Sequence, residues 1–299
     1  MDRLTEMQIY VAVAECEGFA AAARRLGISP PVATRAVADL EARLGVKLLN
    51  RTTRYVRATD AGQRYLEDAR RVLAAADEAD EAAIGINTEP RGHLTVTAPV
   101  LFGRIYVMPG IVDYLQRFPA TEVSALFVDR VVNLLEEGVD VALRIGELGD
   151  SSFKALRVGS VRRVLCASPD YLARNGLPAN PEALTNHPII VATNLGANIE
   201  WRFTQDTKPL TVRIKPRLSV TSNDSAIEAA VRGLGITRVM SYQVAPELES
   251  GKLKIVLSEF EPAPVPIHIL HREGRYAATK IRSFIDLMAE RLRANKSLN

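Results

Sequence analysis

Apolar positions spaced three and four apart begin near the first residue. Leu4, Met7, Val11 and Ala14 mark one face of a first helix, and Gly18 is its predicted end. "FAAAARRLG" (19–27) predicts a short second helix, rich in the best helix former and stopped by Gly27. Ile28 fills the turn, and Ser29 is placed as an N-cap whose hydroxyl can accept from a backbone N–H. Pro30 and Pro31 then open a third helix. Backbone N–H groups have no intrahelical partner there, so proline costs nothing and presets φ. Ala33, Val37, Leu40 and Leu44 form its expected buried stripe. Pro31, Arg35, Ala38 and Ala42 point the other way, with Thr34 on the flank. That outer face is small except for Arg35, which lets the helix approach another surface closely. A helix-turn-helix sets the N-terminal part of its second helix against base edges in the major groove.

"VKLLNRTTRYVRATDAG" follows, with Val46, Leu48 and Leu49 expected to pack. Arg51, Arg54 and Arg57 alternate with the β-formers Thr52, Thr53, Tyr55 and Val56. This reads as a two-stranded wing whose arginines bond phosphates or enter the minor groove. Thr59 and Asp60 start a long helix running to about residue 86, roughly 39 Å. Its narrow stripe of Leu66, Ala69, Leu73, Ala76 and Ala83 suits one partner helix. "NTEPRG" (87–92) is a polar hinge and the clearest boundary in the chain.

Beyond the hinge the period changes. "HLTVTAP", "EVSALFV" and "VDVALRIG" read as strands, and "FGRIYVMPGIVDYLQRFP" and "RVVNLLEEG" as helices. A second set starts near Arg163: "RVLCAS", "PDYLARNG", "PIIVAT", "TVRIKPRLSVTS", "NDSAIEAAVRGLG" and "ITRVMS". Such alternation predicts a parallel sheet in each set. "LKIVLSEF", a strand "IHILHR" and a helix through Ile281, Phe284, Ile285, Met288 and Leu292 close the chain. Two α/β lobes with a return crossing predict a cleft that binds a ligand at strand C-termini.

Composition adds location rather than class. The 299 residues call for two or three domains, and the net charge is only +3. Yet between Arg24 and Arg57 lie eight basic residues (Arg24, Arg25, Arg35, Arg43, Lys47, Arg51, Arg54, Arg57) and two acids (Asp39, Glu41), a local +6. Charge concentrated in this way can meet phosphate. Cys16 and Cys166 have no metal spacing and read as two buried thiols in a reducing cytosol. The N-terminus lacks signal-peptide character and no apolar run reaches membrane-spanning length, so a cytoplasmic protein without a membrane partner is expected.

Catalysis finds no support. His268 and His271 fall on opposite faces of a strand and make a poor metal pair, and His93 and His187 stand apart. GxSxG, HExxH, P-loop and GxGxxG patterns are absent, so neither an enzyme nor a cofactor is expected. "TSND" (221–224) and "PVLFGR" (99–104) open helices that could face a ligand.

"FAAAARRLGISPPVATRAVADLEARLGVKLLNRTTRYVRATDAG" resembles the winged helix-turn-helix of LysR-type transcriptional regulators, without a gap from Leu4 to Gly62. "VTAPVLFGRIYVMP", "EEGVDVALRIGEL", "RRVLCASPDYL", "RGLGIT" and "KIRSFIDLMAERL" resemble that family's effector-binding domain, so the likeness spans nearly the whole chain. The resemblance implies an N-terminal all-α winged helix-turn-helix with a long linker helix, then an α/β two-lobed periplasmic-binding-protein-like effector domain. It implies domains at 1–60, 61–90 and 91–299, with lobe I at 91–162 and 268–299 and lobe II at 163–267. Ser29, Pro30, Pro31, Thr34, Arg35, Arg51, Thr52 and Arg54 would meet double-stranded DNA. Family members often carry glutamine where Pro30 stands. Proline cannot donate to a base, so Thr34, Arg35, Arg51 and Arg54 would carry more of the readout.

Effector contacts are implied for Leu101, Phe102 and Gly103, for Val128 and Asp129, for Arg144, Ile145 and Gly146, and for Thr221, Ser222 and Asn223. The loop "NLGANIEW" (194–201) matches least. Leu101 and Phe102 point to an aromatic or otherwise apolar-bodied effector, and the helix start at "TSND" could hold a carboxylate, so a small organic effector, anionic or aromatic, is expected, with Trp201 near it. A homodimer or homotetramer paired on the linker helix follows from the same resemblance. The rival reading is a small-molecule binding protein without DNA function.

Overall fold

The computed structural model describes residues 1–51, 56–84, 89–134, 136–148, 153–192, 199–272 and 278–298. Two compact units divide the chain, Met1–His93 with Arg275–Thr279, and Leu94–Gly274 with Lys280–Asn299.

In the first unit, α1 (Arg3–Glu15) starts on Asp2, whose carboxylate accepts the Thr5 N–H at 3.0 Å. It buries Glu6, Ile9, Tyr10, Ala12 and Val13. The expected stripe is therefore wrong: Leu4 is 42% exposed, and Met7, Val11 and Ala14 are half-buried. Gln8 is the only polar side chain from Met7 to Ala14, so two stripes satisfy the helical period. A 2.9 Å ion pair of Glu6 with Arg43 favours the observed one. The helix ends at Glu15, and Gly18 stands instead at the N-cap of α2 (Phe19–Leu26). α3 (Pro30–Leu44) buries Ala33, Ala36, Val37, Leu40 and Glu41. Leu44, placed in its stripe by spacing, is 39% exposed because the last turn runs past the core. Gly27 and Gly45, both in the left-handed region, end α2 and α3.

β1 (Leu49–Arg51) and β2 (Val56–Ala58) pair antiparallel as the stem of the wing. Leu48 and Leu49 are buried as expected, but Val46 is exposed. α4 (Asp60–Ile84) is 25 residues long, and Thr59 caps it by accepting the Gly62 N–H at 2.9 Å. Gly62 has to be glycine, since a Cβ there would stand 1.9 Å from the Leu48 carbonyl oxygen. Tyr10 fixes the same turn, its hydroxyl donating to the Gly62 carbonyl at 2.8 Å. Burial pushes that phenol up to about 12, so it stays a donor. Leu66 and Ala69 are buried, and Leu73 and Ala76 are half-buried. The Ala83 side chain and the hinge residues 87 and 88 lie outside the described residues.

The second unit carries β3 (Gly92–Ala98), α5 (Val100–Phe102), one π-helical turn (Gly103–Val107), α6 (Met108–Arg117), β4 (Thr121–Phe127), β5 (Val141–Ile145) and β6 (Phe153–Val161). β7 (Arg163–Ala167), α7 (Pro169–Asn175), β8 (Ile189–Ala192), β9 (Ile199–Gln205), β10 (Lys208–Ile214), β11 (Leu218–Val220) and α8 (Asn223–Val231) follow. β12 (Ile236–Met240), α9 (Ala245–Glu249), β13 (Lys254–Val256), β14 (Val265–Arg272) and α10 (Thr279–Ala294) complete it. The first sheet has the order β4-β3-β5-β14-β6 and the second β11-β8-β12-β7-β13, while β9 and β10 form a hairpin. β14 brings the chain back into the first sheet at Val265, three residues before the expected return at 268. α10 buries Ile281, Phe284, Ile285, Met288 and Leu292 as its spacing predicts.

Three expectations fail here. The sheets are mixed, not parallel: β3–β5, β8–β11 and β8–β12 are parallel, whereas β14 runs against β5 and β6, and β7 against β12 and β13. The strands that carry the chain between sheets enter them in the opposite sense. "TVRIKPRLSVTS" is two strands, because Pro216 cannot donate to a ladder. Among the described residues of 130–138 there is no helix. The Glu137 carboxylate accepts the Asn133 N–H at 3.1 Å and both Arg130 Nη groups at 2.7 and 2.6 Å, which holds a compact turn. Val132, Leu134 and Val139 are buried beneath that turn. Among the described residues no helix is long and apolar enough to cross a membrane.

Candidate nucleic-acid interface and small-molecule cavity

The outer face of α3 is open. Ser29, Pro30, Pro31, Thr34, Arg35, Ala38 and Ala42 are all exposed. Ser29 holds the N-cap position, but its hydroxyl makes no capping bond, contrary to expectation. The prolines explain this: the first available N–H groups, of Val32 and Ala33, bond the Ser29 carbonyl at 3.0 and 3.2 Å. The Thr34 hydroxyl donates to the Pro30 carbonyl at 3.0 Å and keeps its acceptor capacity outward. The Arg35 side chain is 85% exposed, its Nε 3.9 Å from the Asp39 carboxylate. Such a pair is weak and releases the guanidinium easily. Arg51 ends β1, but its side chain, like Thr52 and Arg54, lies outside the described residues.

The local charge is smaller in effect than the sequence count. Arg25 pairs with Glu15 at 2.8 Å and Arg43 with Glu6 at 2.9 Å, two acids outside the counted segment, whereas the pairs of Lys47 with Glu41 at 2.9 Å and Arg35 with Asp39 at 3.9 Å lie within it and are already part of the +6. Glu15 also holds Arg70 at 2.7 Å, which joins α1, α2 and α4. Glu41 has a role that spacing does not reveal. Its carboxylate, 3% exposed, accepts the N–H groups of Leu48 at 2.9 Å and Leu49 at 3.1 Å. One side chain of α3 thereby anchors the start of the wing.

In the second unit a cavity of about 450 Å³ lies where β3, β4 and β5 end. Val128, Asp129, Arg144, Ile145 and Gly146 line it, together with residues the sequence did not single out, among them Val132, Leu134, Leu148, Phe153 and Leu270. Asp129 accepts the Val100 N–H at 3.0 Å and so sits at the start of the helical run from Val100. Arg130 is engaged by Glu137. Arg144 differs. Its guanidinium donates to the carbonyls of Arg130 at 3.4 Å and Val132 at 3.2 Å, and no carboxylate pairs with it among the described residues. Burial draws its pKa below the ordinary arginine value, partly offset by Glu137.

Leu101, Phe102 and Gly103 do not line this cavity. They are buried: Phe102 packs on Tyr106 and Tyr242 with ring centroids 5.0 and 5.5 Å away, and Gly103 lies against the Phe127 ring. Thr221, Ser222 and Asn223 also lie off it, with Ser222 capping α8 through the Ser225 N–H at 3.3 Å. Trp201 is buried in the core of the second sheet, not in the cavity wall. Cys166 is buried and its thiol is pushed up to about 12 by that burial, but Cys16 is only half-buried.

Comparison with known proteins covers both units. A family model described as a bacterial regulatory helix-turn-helix protein of the lysR family matches residues 4–63, and one described as the LysR substrate binding domain matches residues 87–293. An uncharacterized HTH-type transcriptional regulator of Haemophilus influenzae is 30% identical over 94% of this chain and 98% of its own. The HTH-type transcriptional regulator CrgA of Neisseria meningitidis is 30% identical over 97% of each chain. The structure of CrgA, a LysR-type transcriptional regulator, aligns with a TM-score of 0.63 at 29% identity, covering 97% of this chain and 99% of that one. The full-length structure of the Vibrio cholerae virulence activator AphB aligns with a TM-score of 0.62 at 25% identity, covering 97% and 99%.

Proposed function

Because the chain belongs to the LysR family of DNA-binding transcriptional regulators and carries that family's effector-binding domain, we propose that α3 reads the major groove while the cavity at Arg144 takes a small organic anion with an apolar body. In this reading residues 1–60 bind DNA, 61–90 link and pair subunits, and 91–299 sense the effector. The observation that carries the effector assignment is Arg144, a guanidinium in a largely apolar wall with no carboxylate partner among the described residues. A carboxylate on Arg144 would leave the apolar body against Leu134, Leu148, Phe153 and Leu270. A thermal-shift panel of aromatic and aliphatic carboxylates, each beside its uncharged amide, tests this. Carboxylates should raise the melting point; equal shifts from the amides would refute the assignment.

Thr34 and Arg35 supply the base contacts of α3, with Ser29 and the wing at Arg51, Thr52 and Arg54 on the backbone. Arg35→Ala is expected to weaken operator binding about tenfold or more and scrambled-duplex binding by far less, since only the operator offers the guanidinium its base edge. Gel shifts at one fixed salt concentration measure both, and an equal loss on the two duplexes would remove Arg35 from the readout. The assembly we infer is a homodimer along α4, where Val72 is exposed and Leu73 and Ala76 are half-exposed for a second helix. The exposed Ile105, Met108 and Val112, on one stripe of the helical run that leads into α6, offer a further contact for pairing dimers. A DNA-binding regulator works in the cytoplasm, which is the location we assign.

A further inference from the structure

In the second sheet, β12 and β7 pair antiparallel with Arg238 opposite Leu165 and Met240 opposite Arg163. Opposite residues point to one face, so Arg238 and Arg163 are diagonal neighbours, about 7–8 Å apart at the backbone. Both are half-buried. The face they share is covered by the β9–β10 hairpin, and its core includes Leu165, Trp201 and Phe203. The Arg238 guanidinium lies over the Trp201 ring at 4.7 Å, and no described carboxylate pairs with either arginine. Residues 193–198, the undescribed stretch between β8 and β9, contain no acidic side chain. Burial, with Arg163 adding to it, draws Arg238 down to about 10. The indole face offsets part of the cost of burying this cation, but it does nothing for the like charge beside it. Two like charges leave one half-buried face from diagonal positions, and no described counter-charge stands between them.

We propose that Arg163 and Arg238 bind a small oxyanion, a carboxylate or inorganic phosphate, at a site in the second lobe separate from the Arg144 cavity. The fork of each guanidinium matches two oxygens of such a group. The site needs no effector in the first lobe and stands independently of the effector assignment. Trp201 is the only tryptophan in the chain and lies under one of the two ligands, so its emission reports the site directly.

The test titrates the full-length protein with phosphate, acetate and benzoate at ionic strength matched with chloride, following tryptophan emission. A saturable change with at least one oxyanion and none with chloride is expected. Saturation by phosphate alone defines a phosphate site; saturation by acetate or benzoate defines a carboxylate site. Arg163→Gln should weaken that binding at least tenfold, and Arg144→Met should leave it within twofold. If Arg163→Gln does not fold, Arg163→Lys replaces it, and at least threefold weakening is expected because the fork is lost. A flat response to every oxyanion, unchanged affinity in the Arg163 variant, or loss of binding in Arg144→Met would each overturn the proposal. The Arg144 variant separates the two sites: effector response lost with emission response intact speaks to the first lobe alone.

Discussion

Replacing Glu41 with alanine should destabilise the first unit by about 3 kcal/mol and weaken operator binding at least 100-fold. Two buried N–H groups, of Leu48 and Leu49, point at one carboxylate oxygen, and Lys47 Nζ at the other. Removing the acceptor leaves both amides unpaired, at roughly 1–3 kcal/mol each. Lys47 is mostly exposed and returns to water at little cost. The wing then loses its tie to α3, and the two elements proposed to meet DNA would no longer hold one geometry. Amide hydrogen exchange at Leu48 and Leu49 together with operator titration measures both effects. Protection equal to wild type at those two amides would show that the carboxylate does not hold the wing.

Glu41 also sets an acid limit. Burial alone would raise its pKa, but the Lys47 hydrogen bond and the N–H groups of Leu49 and Leu48 outweigh burial and hold it below the ordinary value. A carboxylate lowered by folding contributes stability that is present above its unfolded pKa of about 4.3 and is lost as pH falls through the folded one. The wing should therefore loosen in acid, and Glu41→Gln should flatten that part of the stability profile.

Arg144→Met is expected to raise the effector concentration needed for half-maximal response at least 100-fold while leaving effector-free DNA binding within twofold. Methionine keeps the length and apolar stem of the side chain but not the charge. Truncating one partner of a buried charge pair costs about 2–5 kcal/mol, which sets the size of the effect. Arg144→Lys should recover only part of it, since an ammonium cannot match two oxygens with a planar fork. Gel shifts across an effector series decide the point, and an unchanged midpoint in the methionine variant would move the anchor elsewhere.

Features governed by near neighbours could be read from the sequence. The start of α3 is an example: proline tolerance and glycine ends depend on a few adjacent residues. The buried side of α1 could not, because two stripes were equally apolar and the choice rests on Arg43, thirty-seven positions away. Residues 130–138 had helix-like spacing, but the carboxylate of Glu137 competed for the backbone. In the cavity, Val128, Asp129 and Arg144 came from family likeness, whereas Phe153 and Leu270 arrive through sheet neighbours that no spacing encodes. Arg163 and Arg238 became neighbours only through strand register.

The double proline of α3 reaches further than helix initiation. Helix tips commonly seize phosphate with exposed main-chain amides. This tip has none to give: positions 30 and 31 lack the hydrogen, and those of 32 and 33 fold back onto Ser29. In the proposed reading its hold on the duplex would rest on hydroxyls and guanidiniums alone, groups that single substitutions can remove and that evolution can retune one at a time.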